Sequence, residues 1–181
     1  MLSILFNLFP TAGLMNTGLG LAGSLDPNWK VISVPSGTTN FVAGSNAYIM
    51  TPELNNWSSS SSWPSKWIGI TNDGDYPVLG GTYIFQLSFA SASYYSSTSG
   101  VDVFFLVDEA LTSVAVLDGN STIQTITAFS GGGFKCFGSF SLTTFGPIIT
   151  VLTFTVVNGG LLVQFGEYEY IATCPTPAPT C

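Results

Sequence analysis

Runs of alternating apolar and polar residues, each bounded by turn residues, constrain the fold of this chain more than any other feature. The clearest run has large apolar side chains at every second position: Tyr83, Phe85, Leu87 and Phe89. A repeat of two residues is typical of a β-strand with one buried face. Asn72–Gly74 and Gly80-Gly81 supply turn residues shortly before it. The stretch Ser65–Phe89 therefore predicts a turn followed by a half-buried strand.

Similar short runs continue along the chain, separated by Gly, Asn, Asp and Pro. We predict further strands at Trp29–Val34, Asn46–Thr51, Val101–Val107, Ser113–Leu117, Thr122–Phe129, Phe134–Leu142, Ile148–Val157 and Leu161–Ile171. No long window has the 3.6-residue repeat of a helix, and only Leu106–Leu117 offers a weak helical alternative. Closely spaced short strands predict an all-β fold, an antiparallel β-sandwich or jelly roll.

The chain is long enough for one domain with a substantial core. We place the β-sandwich domain at residues 11–172, between an apolar segment at 1–10 and a Pro/Thr/Cys tail at 173–181. The first nine residues, MLSILFNLF, make a poor secretory signal, since no Lys or Arg precedes the short apolar core. They are interpreted as an edge strand, as an arm that adds to a neighbour's sheet, or as a strand of the protein's own core.

Charged residues make up only 7% of the chain, against roughly a quarter in ordinary soluble domains. The three Lys are scattered and cannot neutralise a phosphate track, so nucleic acid is disfavoured as a partner. No apolar run approaches the ~18 residues that a membrane span needs. An uncharged surface is typical of an extracellular protein that meets neutral sugars, or of a subunit covered by copies of itself or by other structural subunits. A soluble monomer with a neutral surface is the third interpretation.

Six short motifs occur in a particular order over nearly the whole chain, roughly residues 14–172. They are Asn16-Thr17-Gly18, Asp26-Pro27-Asn28-Trp29, Ser65-Lys66-Trp67-Ile68, Gly81-Thr82-Tyr83, Asp118-Gly119-Asn120 and Leu152–Gly160. Their order resembles a galactose-binding-like β-sandwich module found in secreted bacterial proteins that carry a PEP-CTERM sorting tail. The resemblance implies a jelly roll used outside the cell or on a particle surface, in a binding or structural role. CPTPAPTC stands in place of the sorting tail, and Asn28 stands where members often have His.

Aromatic residues beside Ser- and Asn-rich loops form a candidate carbohydrate site. Flat rings stack on the C–H faces of sugars, while hydroxyl and amide groups bind the sugar hydroxyls. The candidate residues are Trp57, Trp63, Tyr94 and Tyr95. Trp29 and Trp67 are instead predicted to be core residues.

Catalysis is not expected from this composition. The neighbours Asp108 and Glu109 would point to opposite faces of a strand, unlike the facing carboxylates of a glycosidase. The chain also has no His to activate a nucleophile. Asp73 and Asp75 lie in a turn that offers oxygen ligands for a structural Ca²⁺, although such a turn also forms without an ion.

Three cysteines, Cys136, Cys174 and Cys181, cannot all pair within one chain. Cys174 pairs with Cys181, or pairs with Cys136 and leaves Cys181 for another chain, or all three stay reduced. Asn56 and Asn120 begin triplets that match the N-glycosylation pattern.

Together these features favour a non-enzymatic structural subunit that assembles outside the cell or on a particle surface, as in a surface layer, a filament or a virion. Its expected partners are copies of itself or other structural subunits. The alternative is a secreted, lectin-like carbohydrate-binding module whose partners are neutral glycans.

Overall fold

The computed structural model describes residues 3–8, 17–18, 20–39, 41–50, 66–72, 79–88, 102–107, 109–129, 138–142 and 149–158. Every regular element in this part of the chain is a β-strand, and all the strand pairings are antiparallel. The predicted all-β, antiparallel class is therefore confirmed. Among these residues there is no helix that could cross a membrane.

The described residues form ten strands. They are β1 Ser3–Leu8, β2 Leu25–Ser33, β3 Ser45–Ile49, β4 Ile68–Gly69, β5 Gly81–Ser88, β6 Asp102–Val107, β7 Ala110–Asp118, β8 Ile123–Ile126, β9 Gly138–Ser141 and β10 Ile149–Asn158. One hydrogen-bonded sheet joins them in the order β8–β7–β10–β5–β2–β3–β4–β1–β6–β9. The helical alternative for Leu106–Leu117 is wrong, because β6 and β7 occupy that stretch. The predicted strand Leu161–Ile171 lies outside the described residues.

The pair formed by β5 and β10 supplies the largest part of the buried face. Tyr83, Phe85 and Leu87 are fully buried, as the two-residue repeat predicted. They lie directly opposite the equally buried Val156, Phe154 and Leu152 of β10. Each such cross-strand pair contributes about 0.2–1 kcal/mol beyond an alanine pair. The apolar repeat thus sets both the burial and the register of these two strands.

The sheet curls, so that strands from opposite ends of the pairing order meet across one core. Phe140 of β9, the last strand in the order, has its ring centroid 6.4 Å from that of Phe154 of β10, the third strand. Phe129, just beyond β8 at the other end, has its ring centroid 5.6 Å from that of Phe140. Register shifts interrupt the pairings of β2 and β10, and such bulges bend strands. The described strands therefore wrap a shared apolar face.

The N-terminal strand β1 lies inside this sheet. Ile4 pairs with Ile68 of β4 on one side and with Val107 of β6 on the other, and the ladder with β6 continues to Leu8. Within the described sheet, β6 and β9 join the remaining strands through β1. The domain boundaries at residues 11, 172 and 173 stay predictions, since they lie outside the described residues.

Gly138 of β9 is packed directly against an aromatic ring. A Cβ atom added there would lie 2.2 Å from Cζ of Phe105, the residue opposite it on β6. That ring also packs against Phe129 and Phe140, with centroid distances of 5.7 and 6.1 Å. The position therefore has no room for a methyl group unless the aromatic cluster shifts.

We expect Gly138→Ala to lower the free energy of unfolding by roughly 1–3 kcal/mol, the usual cost of overpacking a core. The sign of this change in the free energy of unfolding is informative, because Gly→Ala in an unobstructed strand stabilises by roughly 0.5–1 kcal/mol. Urea unfolding measures the change. Adding Phe105→Leu removes ring atoms, so the double variant should lose less than the sum of the two single variants. A stabilised Gly138→Ala protein would contradict the packing.

Candidate functional site

Three of the sequence motifs meet around the carboxylate of Asp26. This residue lies near the start of β2 and is fully buried. Gly18 N donates to its Oδ2 over 2.6 Å, while Asn28 N and Trp29 N donate to its Oδ1 over 2.9 and 3.2 Å. Hydrogen bonds to a charged group contribute about 1.5–3 kcal/mol each, more than neutral ones. Asp26 therefore fixes the segment at Thr17-Gly18 against the start of β2.

The same segment is bound to Lys66, which directly precedes Trp67 and β4. Lys66 N donates to the carbonyl of Thr17 over 3.0 Å, and Thr17 Oγ1 donates to the carbonyl of Lys66 over 2.8 Å. Lys66 Nζ donates to the carbonyl of Gly20. These bonds connect residues that are 46 to 49 positions apart in sequence. We call Thr17, Gly18, Asp26 and Lys66 the Asp26 cluster.

Gly18 is required at its position in the Asp26 cluster for two reasons. Its φ of +75° is a conformation that residues with a Cβ rarely adopt. A Cβ there would also lie 2.3 Å from Cβ of Lys66 and 2.9 Å from its backbone. The Thr-Gly pair can therefore approach Lys66 closely only because glycine follows threonine.

The chemistry of the Asp26 cluster suits a structural role, in which hydrogen bonds hold separate segments of the chain together. Its carboxylate already accepts three backbone N–H groups. Among the described residues, no buried side-chain nitrogen or oxygen lacks a hydrogen-bond partner. The same residues include no group of three or more His, Cys, Asp or Glu side chains that could hold a metal. The motifs that carry the family resemblance here thus join β2 to the segment before β4.

Sequence reasoning assigned no hydrogen-bonding role to the Asp26 side chain, although a local signal was present. An Asp side chain that accepts the backbone N–H two residues later forms an Asx-turn, and Asp-Pro-Asn is typical of such turns. The bond from Gly18 N to Asp26 and the bonds between Thr17 and Lys66 had no comparable signal, since they join residues that are 8 and 49 positions apart in sequence.

Most of the predicted site residues lie outside the described part of the chain. They are Trp57, Trp63, Tyr94, Tyr95, Asp73, Asp75, Cys136, Cys174, Cys181 and Asn56. The carbohydrate, calcium and disulfide assignments therefore stay predictions. Trp29 and Trp67 are described, and both are buried, which confirms their assignment to the core.

Asn120 is the candidate that the structure does describe. It is exposed in the turn between β7 and β8. Asp118 Oδ1 accepts from Asn120 N over 2.9 Å and from Thr122 N over 2.8 Å, which holds the turn in shape. The triplet Asn120-Ser121-Thr122 is therefore at the surface. Its glycosylation stays a prediction.

The described surface carries very few charges. Among its exposed residues, only Lys30 and Glu109 are charged. Several large apolar side chains are exposed instead, with Leu21 at 81%, Val42 at 72% and Ile123 at 67%. This surface suits contact with uncharged groups.

Strand β8 ends the described sheet on one side. Within the described chain it pairs only with β7. Thr122 faces Asp118 through a backbone bond of 3.0 Å, so the antiparallel alternation directs the N–H and C=O groups of Ile123 and Thr125 outward. Natural edge strands usually carry a Lys, a Pro or a bulge that blocks pairing with another chain, and Ile123–Ile126 has no charged residue and no Pro. We call Ile123–Ile126 the β8 edge.

Tyr83 makes the stability of the fold depend on pH in the alkaline range. Its buried hydroxyl donates to the carbonyl of Leu79 over 2.5 Å. Burial raises the pKa of the Tyr83 phenol above its ordinary value of 10.0, while a hydrogen bond with Thr38 acts in the opposite direction. A pKa raised by folding means that the folded chain holds the proton more tightly than the unfolded chain. The resulting stability is present below about pH 10 and is lost as the pH rises through the folded-state pKa.

We expect the free energy of unfolding to fall more steeply above about pH 10 in the wild type than in Tyr83→Phe, which cannot ionise there. Urea unfolding at several pH values on both sides of that point measures the two slopes. The other tyrosines are common to both proteins and cancel in the comparison. Equal slopes would contradict the assignment of this pH dependence to Tyr83.

Comparison of the chain with protein-family models, with curated proteins and with solved structures found no match. The resemblance to the galactose-binding-like module therefore stays a prediction from the motifs. The function is argued below from the surface and the topology of the described sheet.

Proposed function

We propose that the chain is a non-enzymatic structural subunit that assembles with copies of itself outside the cell or on a particle surface. The observation that carries this proposal is the nearly uncharged surface, on which Lys30 and Glu109 are the only charged residues among the exposed, described ones. Surface charge of mixed sign normally keeps small domains soluble and separate. A subunit whose surface is covered by its neighbours has no such need.

The β8 edge supports this proposal. Its outward N–H and C=O groups can pair with a strand of another copy. No charged side chain on the β8 edge would repel that strand. The side chain of Ile123, which is 67% exposed, would be covered in such a contact. Apolar surface removed from water contributes about 25 cal/mol per Å².

The architecture that we propose for the subunit is a jelly-roll sandwich of the galactose-binding-like type. The contact between Phe140 and Phe154 supports it, because these rings come from strands far apart in the pairing order. The meeting of the Thr-Gly, Asp-Pro-Asn-Trp and Lys-Trp motifs at Asp26 supports it as well.

Size-exclusion chromatography with light scattering tests the assembly. We expect the mean mass to exceed that of one chain and to rise with protein concentration. Ile123→Lys places a charge on the β8 edge and should lower the mean mass, whereas Thr39→Lys, at an exposed position after β2, should not. A single-chain mass at every concentration would contradict the proposed function. A mass unaffected by Ile123→Lys would remove only the β8 edge from the interface.

The second candidate is a secreted carbohydrate-binding module, which an uncharged surface rich in hydroxyl groups also suits. Its ligands would be neutral glycans held by the aromatic residues Trp57, Trp63, Tyr94 and Tyr95. A single-chain mass together with binding on a glycan array, lost in Trp57→Ala, would favour this function over assembly. An array on which the wild type binds nothing would count against it.

A further inference from the structure

The sequence contains a single Asp-Pro peptide bond, Asp26–Pro27, and this bond lies within the Asp26 cluster. An Asp-Pro bond is unusually prone to cleavage without a protease. The side-chain carboxylate can attack the carbonyl carbon of its own residue, and the proline nitrogen is more basic than that of an ordinary amide. Covalent attachment holds the nucleophile next to its target, and well-oriented cases of this kind reach effective concentrations of about 10⁵–10⁸ M. The contacts around Asp26 decide whether this chemistry is assisted.

The backbone carbonyl of Asp26 has a hydrogen-bond donor placed at its oxygen. Asn46 of β3 donates from Nδ2 to this oxygen over 2.7 Å, at a partly buried position. A donor in this place polarises the carbonyl and stabilises the negative charge that the oxygen gains when a nucleophile adds, as in an oxyanion hole. The folded chain therefore holds this donor in place before any reaction begins.

The carboxylate of Asp26 is fixed beside the same bond and keeps one position free. An ionised carboxylate offers about four acceptor sites. Gly18 N, Asn28 N and Trp29 N occupy three of them. The bond from Asn28 N closes a ring of atoms that contains the Asp26–Pro27 peptide bond, which is the geometry of an Asx-turn. The side chain is thus held next to the carbonyl carbon and cannot rotate away from it.

Pro27 lies on the solvent side of this arrangement. It is exposed, whereas Asp26 is fully buried. Water therefore reaches the proline and can supply the proton that its nitrogen needs as a leaving group. A fixed nucleophile, a polarised carbonyl and a leaving group open to water meet at one peptide bond.

We propose that the folded chain cleaves its own backbone between Asp26 and Pro27. An oxygen of the Asp26 carboxylate bonds to the backbone carbonyl carbon of the same residue, and Asn46 Nδ2 stabilises the resulting oxyanion. The C–N bond to Pro27 then breaks, the nitrogen keeps the electron pair, and water supplies its proton. A second step opens the cyclic anhydride on Asp26 with water and yields two carboxylates. The net reaction is hydrolysis of one peptide bond, once in each chain, so it adds no enzymatic turnover to the proposed function.

Cleavage would leave the two pieces associated in the folded protein. The strand β1 stays in its ladders with β4 and β6, and Leu25 stays paired with Tyr48. After the reaction, the piece that carries β1 is held by noncovalent contacts alone. The products are therefore separated only under denaturing conditions.

Mass spectrometry of the denatured protein measures the cleavage. Purified wild type is incubated at neutral pH with protease inhibitors, folded in one sample and unfolded in guanidinium chloride in the other. The folded sample should accumulate a fragment that begins with Pro27 at about 10²-fold or more the rate of the unfolded sample, which lacks the oxyanion donor. A contaminating protease would favour the unfolded chain instead. A folded sample that forms no such fragment, or forms it no faster than the unfolded one, would overturn the proposal.

Two variants assign the chemistry to its groups. Asn46→Ala removes the donor and should slow the cleavage about 10²–10³-fold, the usual effect of losing one oxyanion donor. The matched control, Ser45→Ala at the exposed neighbouring position, should cleave like the wild type. Pro27→Ala replaces the leaving group with an ordinary amide and should abolish cleavage, while its exposed position spares the core. Tryptophan fluorescence confirms that each variant is folded. A folded Asn46→Ala protein that cleaves as fast as the wild type would overturn the proposal, and the comparison of folded with unfolded wild type decides the matter if that variant does not fold.

Discussion

Asp26→Ala is expected to lower the free energy of unfolding by roughly 3–5 kcal/mol, because it removes a buried, charged acceptor and leaves its partners behind. The N–H groups of Gly18 and Trp29 would lose their acceptor in the buried interior, and that of Asn28 would lose it at a partly buried position. Small domains have a total stability of about 5–15 kcal/mol, so the expected loss is a large fraction of the whole. Urea unfolding followed by tryptophan fluorescence measures the loss.

Two variants separate this role from a general effect of removing an Asp. Asp118→Ala removes a similar acceptor of two N–H groups in the exposed turn after β7, where water can replace it. We expect a loss below about 1 kcal/mol there, as for an exposed polar contact. Asp26→Asn keeps an oxygen for Asn28 N and Trp29 N but loses the acceptor of Gly18 N, so its cost should be intermediate. If Asp26→Ala is no more destabilising than Asp118→Ala, the Asp26 cluster does not hold the fold together.

Ile4→Pro is expected to be at least as damaging to the other half of the sheet. Ile4 pairs with Ile68 on one side and with Val107 on the other. Proline donates no N–H bond and is found essentially only at sheet edges or bulges, so we expect a loss of about 3 kcal/mol or more. Hydrogen exchange should speed up most in β6 and β9, which the described sheet connects through β1.

The control for this substitution is Ile4→Ala, which shortens the side chain but keeps the backbone N–H. It should leave the amides of β6 and β9 better protected than Ile4→Pro does. Equal protection in the two variants would show that β1 is not an interior strand.

The strand predictions succeeded where the apolar repeat was strong and failed by several residues where a local turn signal interfered. The strand was predicted to start at Trp29, after the Asp26-Pro27 turn residues, but β2 begins at Leu25. Its pairing with β3 is irregular between Leu25 and Lys30, which accommodates the Asp26 turn inside the strand. At β8 the predicted strand, Thr122–Phe129, is longer than the observed one. The strand ends at Ile126, and Phe129 beyond it packs on Phe105.

The position of the N-terminal segment was open at the sequence level because an apolar run carries no information about its partner. MLSILFNLF suits an edge, an arm or a core strand equally well, and only the pairing with Ile68 and Val107 places it inside the described sheet. Likewise, nothing local relates Asp26 to Gly18 or Thr17 to Lys66.

The sequence by itself determined the β class, the buried faces of the central strands and the shortage of charge, because two-residue periodicity and composition are local properties of the chain. Tertiary structure alone decided which strands are neighbours, where the chain's first strand pairs, and what the buried carboxylate binds. These features depend on contacts between residues far apart in sequence, such as the 49-residue separation of Thr17 and Lys66. Several pairings satisfy the same local pattern, and burial together with the pairing of backbone N–H and C=O groups selects among them.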